Sequence, residues 1–305
     1  MKRMLVTGGA GFIGSNFVRH MLEAHADLQI VTLDLLTYAG SMKNLAGVDP
    51  ARHRLVHGDI GYATLVRQLL AEGIDTIVHL AAETHVDRSI SAPNIFIQSN
   101  VVGTFTLLEA VRLSGRTIRF HHVSTDEVYG SLAVGERPFD ETSPYRPNSP
   151  YSASKAASDH LVRAYGQTYG LPVTVSHCSN NYGPRQHAEK FIPTVIRNIK
   201  EGKPIPVYGN GSNRREWLCV DDHCRAIDTI LQHGAVGETY CVGGEEMSNL
   251  DVVRAVGAAM DHESAIDFVT DRPGHDWRYA LDSSKIRALG WAPRESFATG
   301  IAKVL

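Results

Sequence analysis

Leu5-Val6-Thr7-Gly8-Gly9-Ala10-Gly11-Phe12-Ile13-Gly14 reads as a short apolar strand that turns on glycines into a helix. The dinucleotide-binding spacing is met twice, at Gly9, Gly11 and Gly14 and at Gly8, Gly11 and Gly14. With no side chains in the way, the backbone amides and the helix N-terminus can approach a pyrophosphate. Asp34 follows Gly14 by twenty residues, at the end of the next apolar run. An acid there suits a ribose 2'-hydroxyl and repels a 2'-phosphate, so NAD is expected rather than NADP.

Outward from this stretch, short apolar runs alternate with amphipathic stretches of helical length through the first 180 residues. Strands are expected near 3–7, 29–34, 54–57, 76–80, 118–124 and 173–178, and helices near 12–23, 62–72, 100–113 and 151–169. That alternation predicts an α/β, Rossmann-like, doubly wound parallel sheet with helices on both faces and ligands at the carboxyl ends of its strands. Asp59-Ile60 closes the third strand, where it could reach an adenine ring or sit as a solvated loop acid. Beyond Cys178 the chain turns more often, at Asn180-Asn181-Tyr182-Gly183-Pro184 and Gly209-Asn210-Gly211. We expect a nucleotide-binding domain over 1–178, rejoined by about 217–234, and a smaller, discontinuous substrate lobe from 179–216 and 235–305.

The 305 residues carry a formal net charge of −3 and are 43% hydrophobic, enough to bury a full core. No basic surplus or like-charge run invites nucleic acid or an anionic membrane, and no apolar run reaches the roughly 20 residues of a bilayer span. The motif starts within a few residues of Met1, so no leader is expected and a cytoplasmic enzyme of small molecules is. Cys178, Cys219, Cys224 and Cys241 lack close-paired spacing, and Cys219-His223-Cys224 is too crowded for a zinc framework. They are expected as free buried thiols, without metal. His121 and His122 lie in an apolar strand and are expected to pack or face solvent rather than to bind one.

Ser124-Thr125-Asp126-Glu127-Val128-Tyr129-Gly130 ends the fifth strand, and Tyr151-Ser152-Ala153-Ser154-Lys155 opens a helix. Tyr151 and Lys155, four apart, share a helix face, and an ammonium there is expected to lower the phenol pKa so that it can serve as a base. Ser124 or Thr125 can hold the same substrate hydroxyl. Two adjacent acids beside such a pair suggest an acid and a base for elimination of water, the like charges keeping one of them protonated. Side chains alternate along a strand, so the sheet ladder must stop at or before Asp126 if both acids are to serve one site.

With these residues in place, the chain resembles the dTDP-glucose type of nucleotide-sugar 4,6-dehydratases in the extended short-chain dehydrogenase/reductase family. The likeness runs through 7–15, 37–40, 79–90, 124–130, 151–170, 180–184, 207–209 and 271–279. It implies that Thr125, Asp126 and Glu127 carry the elimination and that Tyr151 and Lys155 carry the oxidation at C4. The expected product is a 4-keto-6-deoxy sugar nucleotide. Beside Gly8, Gly11, Phe12, Ile13, Gly14, Asp34, Asp59 and Ile60, it implies that Ala81, Ser99, Tyr151, Lys155 and Asn181 contact NAD. Thr84, Thr125, Asn180, Glu189, Lys190, Pro206, Val207, Tyr208, Arg215, Asn249, Arg272 and His275 are implied to contact the nucleotide sugar, Arg215 as a fork onto the diphosphate. A homodimer joined through the helices near Asn100 and Tyr151 is implied as well. Thr84, Ser99, Arg185, Glu216 and Trp277 depart from the common choices of the family, and the last residues read as a helix that continues further in relatives. The competing readings are a dehydratase or 4-epimerase of another nucleotide sugar, carrying UDP or CDP, and a catalytically silent NAD-binding regulator.

Overall fold

The computed structural model describes residues 1–263, 265–271 and 275–305. Its strands are β1 (Arg3–Thr7), β2 (Gln29–Asp34), β3 (His53–His57), β4 (Thr76–His79), β5 (Arg119–Thr125), β6 (Val173–Cys178), β7 (Asn180–Tyr182), β8 (Ile205–Tyr208), β9 (Arg214–Cys219), β10 (Thr239–Val242), β11 (Glu245–Ser248) and β12 (Ile266–Val269). The helices are α1 (Phe12–Ala24), α2 (Ala63–Ala71), α3 (Val86–Ser91), α4 (Pro93–Phe96), α5 (Gly103–Leu113), α6 (Pro150–Tyr169), α7 (Phe191–Lys200), α8 (Val220–His233), α9 (Asn249–Ala259), α10 (Ser284–Arg287) and α11 (Phe297–Ile301). The doubly wound sheet expected from the sequence is present, with the order β10-β6-β5-β4-β1-β2-β3 and every neighbouring pair parallel.

Strand alternation decides what covers each face. In β1, Met4 and Val6 enter a core shared with Phe17, Val18 and Met21 of α1 and with Cys224, Ile227 and Ile230 of α8. Leu5, between them, enters the opposite core with residues of α2, α5 and α6. The strand and helix read at 217–233 part company. Helix α8 packs on the sheet, whereas β9 pairs with β7 and β11 in a separate three-stranded sheet, and the strand that joins the large sheet is β10. The reason lies in alternation: Trp217 and Cys219 enter the core of the smaller lobe, while Leu218 enters the α1/α8 core. Strand β9 thus lies between the two cores, with one face toward α8 and the other toward the smaller lobe. Strands β8 and β12 form a further parallel pair.

The strand order reverses between β1 and β4, and the turn after β1 meets the chain leaving β4 there. Gly8 has φ +71°, and a Cβ on it would lie 2.7 Å from the amide nitrogen of Ala81. At Gly14 a Cβ would lie 2.2 Å from the carbonyl oxygen of Gly8. Neither neighbour is a side chain that could yield, so these two glycines are steric requirements of the switch point.

Candidate active site

A cavity of about 650 Å³ opens at the carboxyl ends of the sheet strands and extends into the smaller lobe. All thirteen residues expected to contact NAD line it. So do Thr84, Thr125, Asn180, Glu189, Lys190, Pro206, Tyr208, Arg215, Asn249 and His275 of the expected substrate set. Val207 does not: β8 alternates buried and exposed, which sends Val207 into the core of the smaller lobe and turns Pro206 and Tyr208 outward. Arg272 lies outside the described residues.

The dinucleotide end is built by backbone. Gly11 caps α1 without a side-chain acceptor, so the first-turn amides keep their unsatisfied donor character for an anion. Asp34 is nearly buried and ties two loops together, its Oδ2 accepting from the Ala10 amide at 2.9 Å and its Oδ1 from the Leu36 amide at 2.8 Å. Each carboxylate oxygen can accept a second bond, and the group faces the cavity. The glycine cradle and this acid fit an NAD molecule. Ser99 sits in a π-type turn, Ile97–Val102. The adjacent Asn100 side chain accepts from the Glu83 amide at 2.8 Å and donates to the Glu83 carbonyl at 3.0 Å and to Ser154 Oγ at 2.8 Å. It thereby clamps the loop after β4 to α6.

Helix α6 begins with a capping box between Ser149 and Ser152 and Pro150 in its first turn, which fixes where Tyr151 enters the cavity. Tyr151 and Lys155 share the face packed against β5, as their spacing requires. The expected lowering of the phenol pKa is not found. Burial pushes Tyr151 well above its ordinary value, and Glu127 and Cys178 add to this, while a hydrogen bond with Thr125 opposes it. Lys155 Nζ instead donates to the Val123 carbonyl at 2.9 Å and lies 3.4 Å from His122 Nε2, so its charge is spent behind the phenol. Burial lowers Lys155 to about 8.

Strand β5 stops at Thr125, as two usable acids demanded. The Thr125 hydroxyl accepts from the Glu127 amide at 3.3 Å and caps a 3-10 turn over Asp126–Tyr129. Glu127 faces the cavity. Asp126 does not line it: the turn folds its side chain inward, where it is 1% exposed and its Oδ1 accepts from Thr125 Oγ at 3.2 Å. Burial, then Glu127, then Glu216 push the Asp126 carboxyl well above the usual range, in the direction that favours its protonated form. Glu216 is itself pushed up to about 7, mainly by burial.

At the far end, Arg215 lies 4.3 Å over the Tyr279 ring and donates to the carbonyls of Arg214 at 2.7 Å, Asp276 at 2.8 Å and Trp277 at 3.3 Å. Those bonds orient the guanidinium, and its further N–H groups are suited to an anion. Glu189, expected as a substrate contact, is also a structural hub: it pairs with Arg88 at 2.8 Å, and Arg88 in turn lies 3.8 Å over the Tyr38 ring. Sequence reasoning did not find Glu83, His85, Gln186, His187 and Trp217, which also line the cavity. They sit on loops and strands that only the three-dimensional topology brings to this edge. For Glu83 and His85 a signal existed, since they directly follow β4 at the switch point.

Residues 5–304 match the family model described as GDP-mannose 4,6 dehydratase. A curated dTDP-glucose 4,6-dehydratase of Xanthomonas campestris pv. campestris (strain B100) is 54% identical, over 99% of this chain and 92% of its own. Among solved structures, the dTDP-glucose 4,6-dehydratase DesIV of Streptomyces venezuelae, with NAD bound, is 50% identical over 99% of this chain and 95% of its own, with a TM-score of 0.94. The UDP-glucose 4-epimerase of Thermus thermophilus, in complex with NAD, is 32% identical over 99% and 97%, with a TM-score of 0.91.

Replacing Gly14 with alanine should lower the NAD retained through purification by about tenfold or more, because the added methyl meets backbone in the cradle. Cofactor content of the folded variant, read by absorbance after denaturation, checks this, and undiminished content refutes it.

Proposed function

The chain belongs to the family described as GDP-mannose 4,6 dehydratase, and from that membership we propose that it is an NAD-dependent hydro-lyase that converts dTDP-glucose to dTDP-4-keto-6-deoxyglucose and water. The observation that carries the reading is the Thr125-Asp126-Glu127 turn, one acid buried with its carboxyl pushed well above the usual range and the other facing the cavity, next to Tyr151. Identity of about half the residues to dTDP-glucose 4,6-dehydratases over the full chain supports the same substrate.

In this reading Gly8 and Gly11 to Gly14 hold the pyrophosphate of NAD and Asp34 its adenosine ribose. Asp59 and Ile60 flank the adenine, and Ala81, Ser99, Tyr151, Lys155 and Asn181 hold the nicotinamide half. When bound, NAD would supply positive charge, a hydride acceptor for C4 and, in its reduced form, a hydride donor for C6. Tyr151 removes the proton of the sugar 4-hydroxyl while the Thr125 hydroxyl, within bonding reach of that phenol, holds the same oxygen. The C4 ketone acidifies the C5 hydrogen, and Glu127 takes it as a proton and gives it back to C5 once the 6-hydroxyl has left and C6 has received its hydride. Asp126 supplies the proton with which the 6-hydroxyl leaves as water. Its way into the cavity is the Thr125 hydroxyl, which stands between the buried acid and Tyr151. Arg215 and Lys190 neutralise the diphosphate, and Thr84, Asn180, Glu189, Pro206, Tyr208, Asn249 and His275 complete the nucleotide-sugar site.

Residues 1–178 with α8 and β10 serve the cofactor in this scheme, and 179–216 with the rest of 235–305 serve the nucleotide sugar. The enzyme acts as a homodimer: Ile97, Phe105 and Leu113 stand exposed along α5 and the turn before it, and Ala153 is exposed on α6. Such a stripe is suited to helix packing between two copies. Its place is the cytoplasm, where four free, buried cysteines remain reduced. Among the described residues, no helix is long and apolar enough to cross a membrane.

Incubation of the purified protein with dTDP-glucose and no added NAD should give a 4-keto product lighter by one water, with no net nicotinamide consumed. Unchanged substrate mass, or reduced nicotinamide accumulating in step with substrate, refutes the activity, and the same assay on UDP- and CDP-glucose reads the base preference. Asp126→Asn should slow water loss by about 100-fold and C4 oxidation by less than about tenfold. Single-turnover absorbance of reduced nicotinamide separates the steps, and equal slowing removes the acid role. Phe105→Glu should turn a dimeric species in sedimentation into a monomer, whereas a monomeric wild type at micromolar concentration overturns the dimer.

A further inference from the structure

Tyr151 and Lys155 are followed on the same face of α6, one turn further on, by Asp159. All three are buried, and Asp159 is outside the cavity lining. Its carboxylate is the centre of a polar cluster between α6 and the sheet. Oδ2 accepts from Ser124 Oγ at 3.0 Å and lies 3.0 Å from His177 Nε2, while Oδ1 lies 3.2 Å from His122 Nε2. The same His122 nitrogen is 3.4 Å from Lys155 Nζ.

A carboxylate this deep is tolerated only with charge or hydrogen-bond compensation. The groups that face the pair are, from β4, His79; from β5, His122; and from β6, His177 and Cys178, whereas His121, next along β5, turns to the other face toward His223 of α8. Tyr129 and Tyr145, on the segment after β5, reach His177 at 2.6 and 3.0 Å, and Glu127 and Asp126 lie toward Tyr151. Burial holds His79 well below its ordinary value, His121 at about 3 and His122 at about 4, and raises the Cys178 thiol to about 12. Of all these groups, Lys155 is the only ammonium or guanidinium.

We propose that Asp159 is a positioning residue for the reaction, a buried counter-charge on the far side of His122 whose field keeps the Lys155 ammonium protonated and in register with Tyr151. The inference rests on the reading of Tyr151 and Lys155 as the oxidation pair. Burial lowers Lys155 to about 8, and Asp159 is the foremost influence holding it up. Burial pushes Asp159 itself upward, but hydrogen bonds from His122 and His177 outweigh it and keep the group a carboxylate well below the ordinary range. Removing its charge must lower Lys155 further, so the ammonium is lost at a lower pH.

The test is the pH profile of kcat for dTDP-glucose in Asp159→Asn. Its alkaline limb should move down by about one pH unit or more, with KM changed less than about twofold. Asp159→Glu, which restores the charge, should return the limb toward the wild type. His177→Gln, which disturbs the same cluster without removing its charge, should lower the melting temperature and leave the limb in place. A folded Asp159→Asn with an unmoved limb, or an equal shift in His177→Gln, overturns the proposal. Should Asp159→Asn fail to fold, the Lys155→Met/Asp159→Asn double variant decides: recovered folding upholds the pairing, and a double that also fails overturns it. An inactive wild type would reject the underlying reading of the site, whereas an active wild type with an unmoved limb rejects only the role of Asp159.

Discussion

Strand β5 ends at Thr125, where the side-chain hydroxyl caps the turn that follows, and this one change of backbone gives two consecutive carboxyls opposite surroundings. Had the ladder run on, strand alternation alone would have put Asp126 and Glu127 on opposite faces of the sheet, one of them beyond use. The 3-10 turn separates them differently. Asp126 goes into a low-dielectric interior that pushes its carboxyl above the usual range, and Glu127 goes to the cavity wall. In the proposed scheme this contrast in environment divides acid from base, and it requires no difference in intrinsic chemistry between two side chains that begin with nearly equal pKa values.

Behind that turn the protein accepts an expensive interior. Asp159, His122, His177, Lys155, Ser124 and Tyr129 are all nearly inaccessible, and polar groups in such a place cost several kcal/mol each when unpaired. They are tolerated because each finds a neighbour within about 3.5 Å. The same cluster explains why Tyr151 is not acidified by Lys155 in the way a spacing argument suggests. Distance along a helix says which groups share a face, but not which acceptor captures the ammonium. Here the buried Val123 carbonyl accepts from it at 2.9 Å.

The fold was legible in the sequence because its signals are local: glycines where backbone must touch backbone, an acid at the next strand end, and alternating apolar runs. The boundaries of the six expected strands agree with β1 to β6 to within about two residues. The return of the chain to the large sheet was less legible. Residues 214–219 and 239–242 are both short apolar strands, and only the partition of Trp217, Leu218 and Cys219 between two cores separates them. Of the site, the residues at strand ends and on α6 were readable, since the doubly wound rule assigns them an edge. Gln186, His187 and the inward turn of Asp126 were not, because loop paths follow from tertiary packing. The recruitment of Asp159 was visible as spacing but silent as chemistry, for its partners come from two other strands.

Strand β9 joins these two levels. Its central residues are buried in both cores, so it cannot slide or rotate without opening one of them, and close-packed interiors resist such shifts. Arg215 sits two residues before Trp217 on this strand, with its guanidinium held by the carbonyls of residues 214, 276 and 277. A cation fixed in this way sets how far along the cavity an anionic group can travel. The distance from that anchor to Tyr151 is therefore a property of the packed cores rather than of a flexible loop. In the proposed reading, a sugar tethered to a diphosphate is thus placed by the same hydrophobic contacts that hold the lobes together.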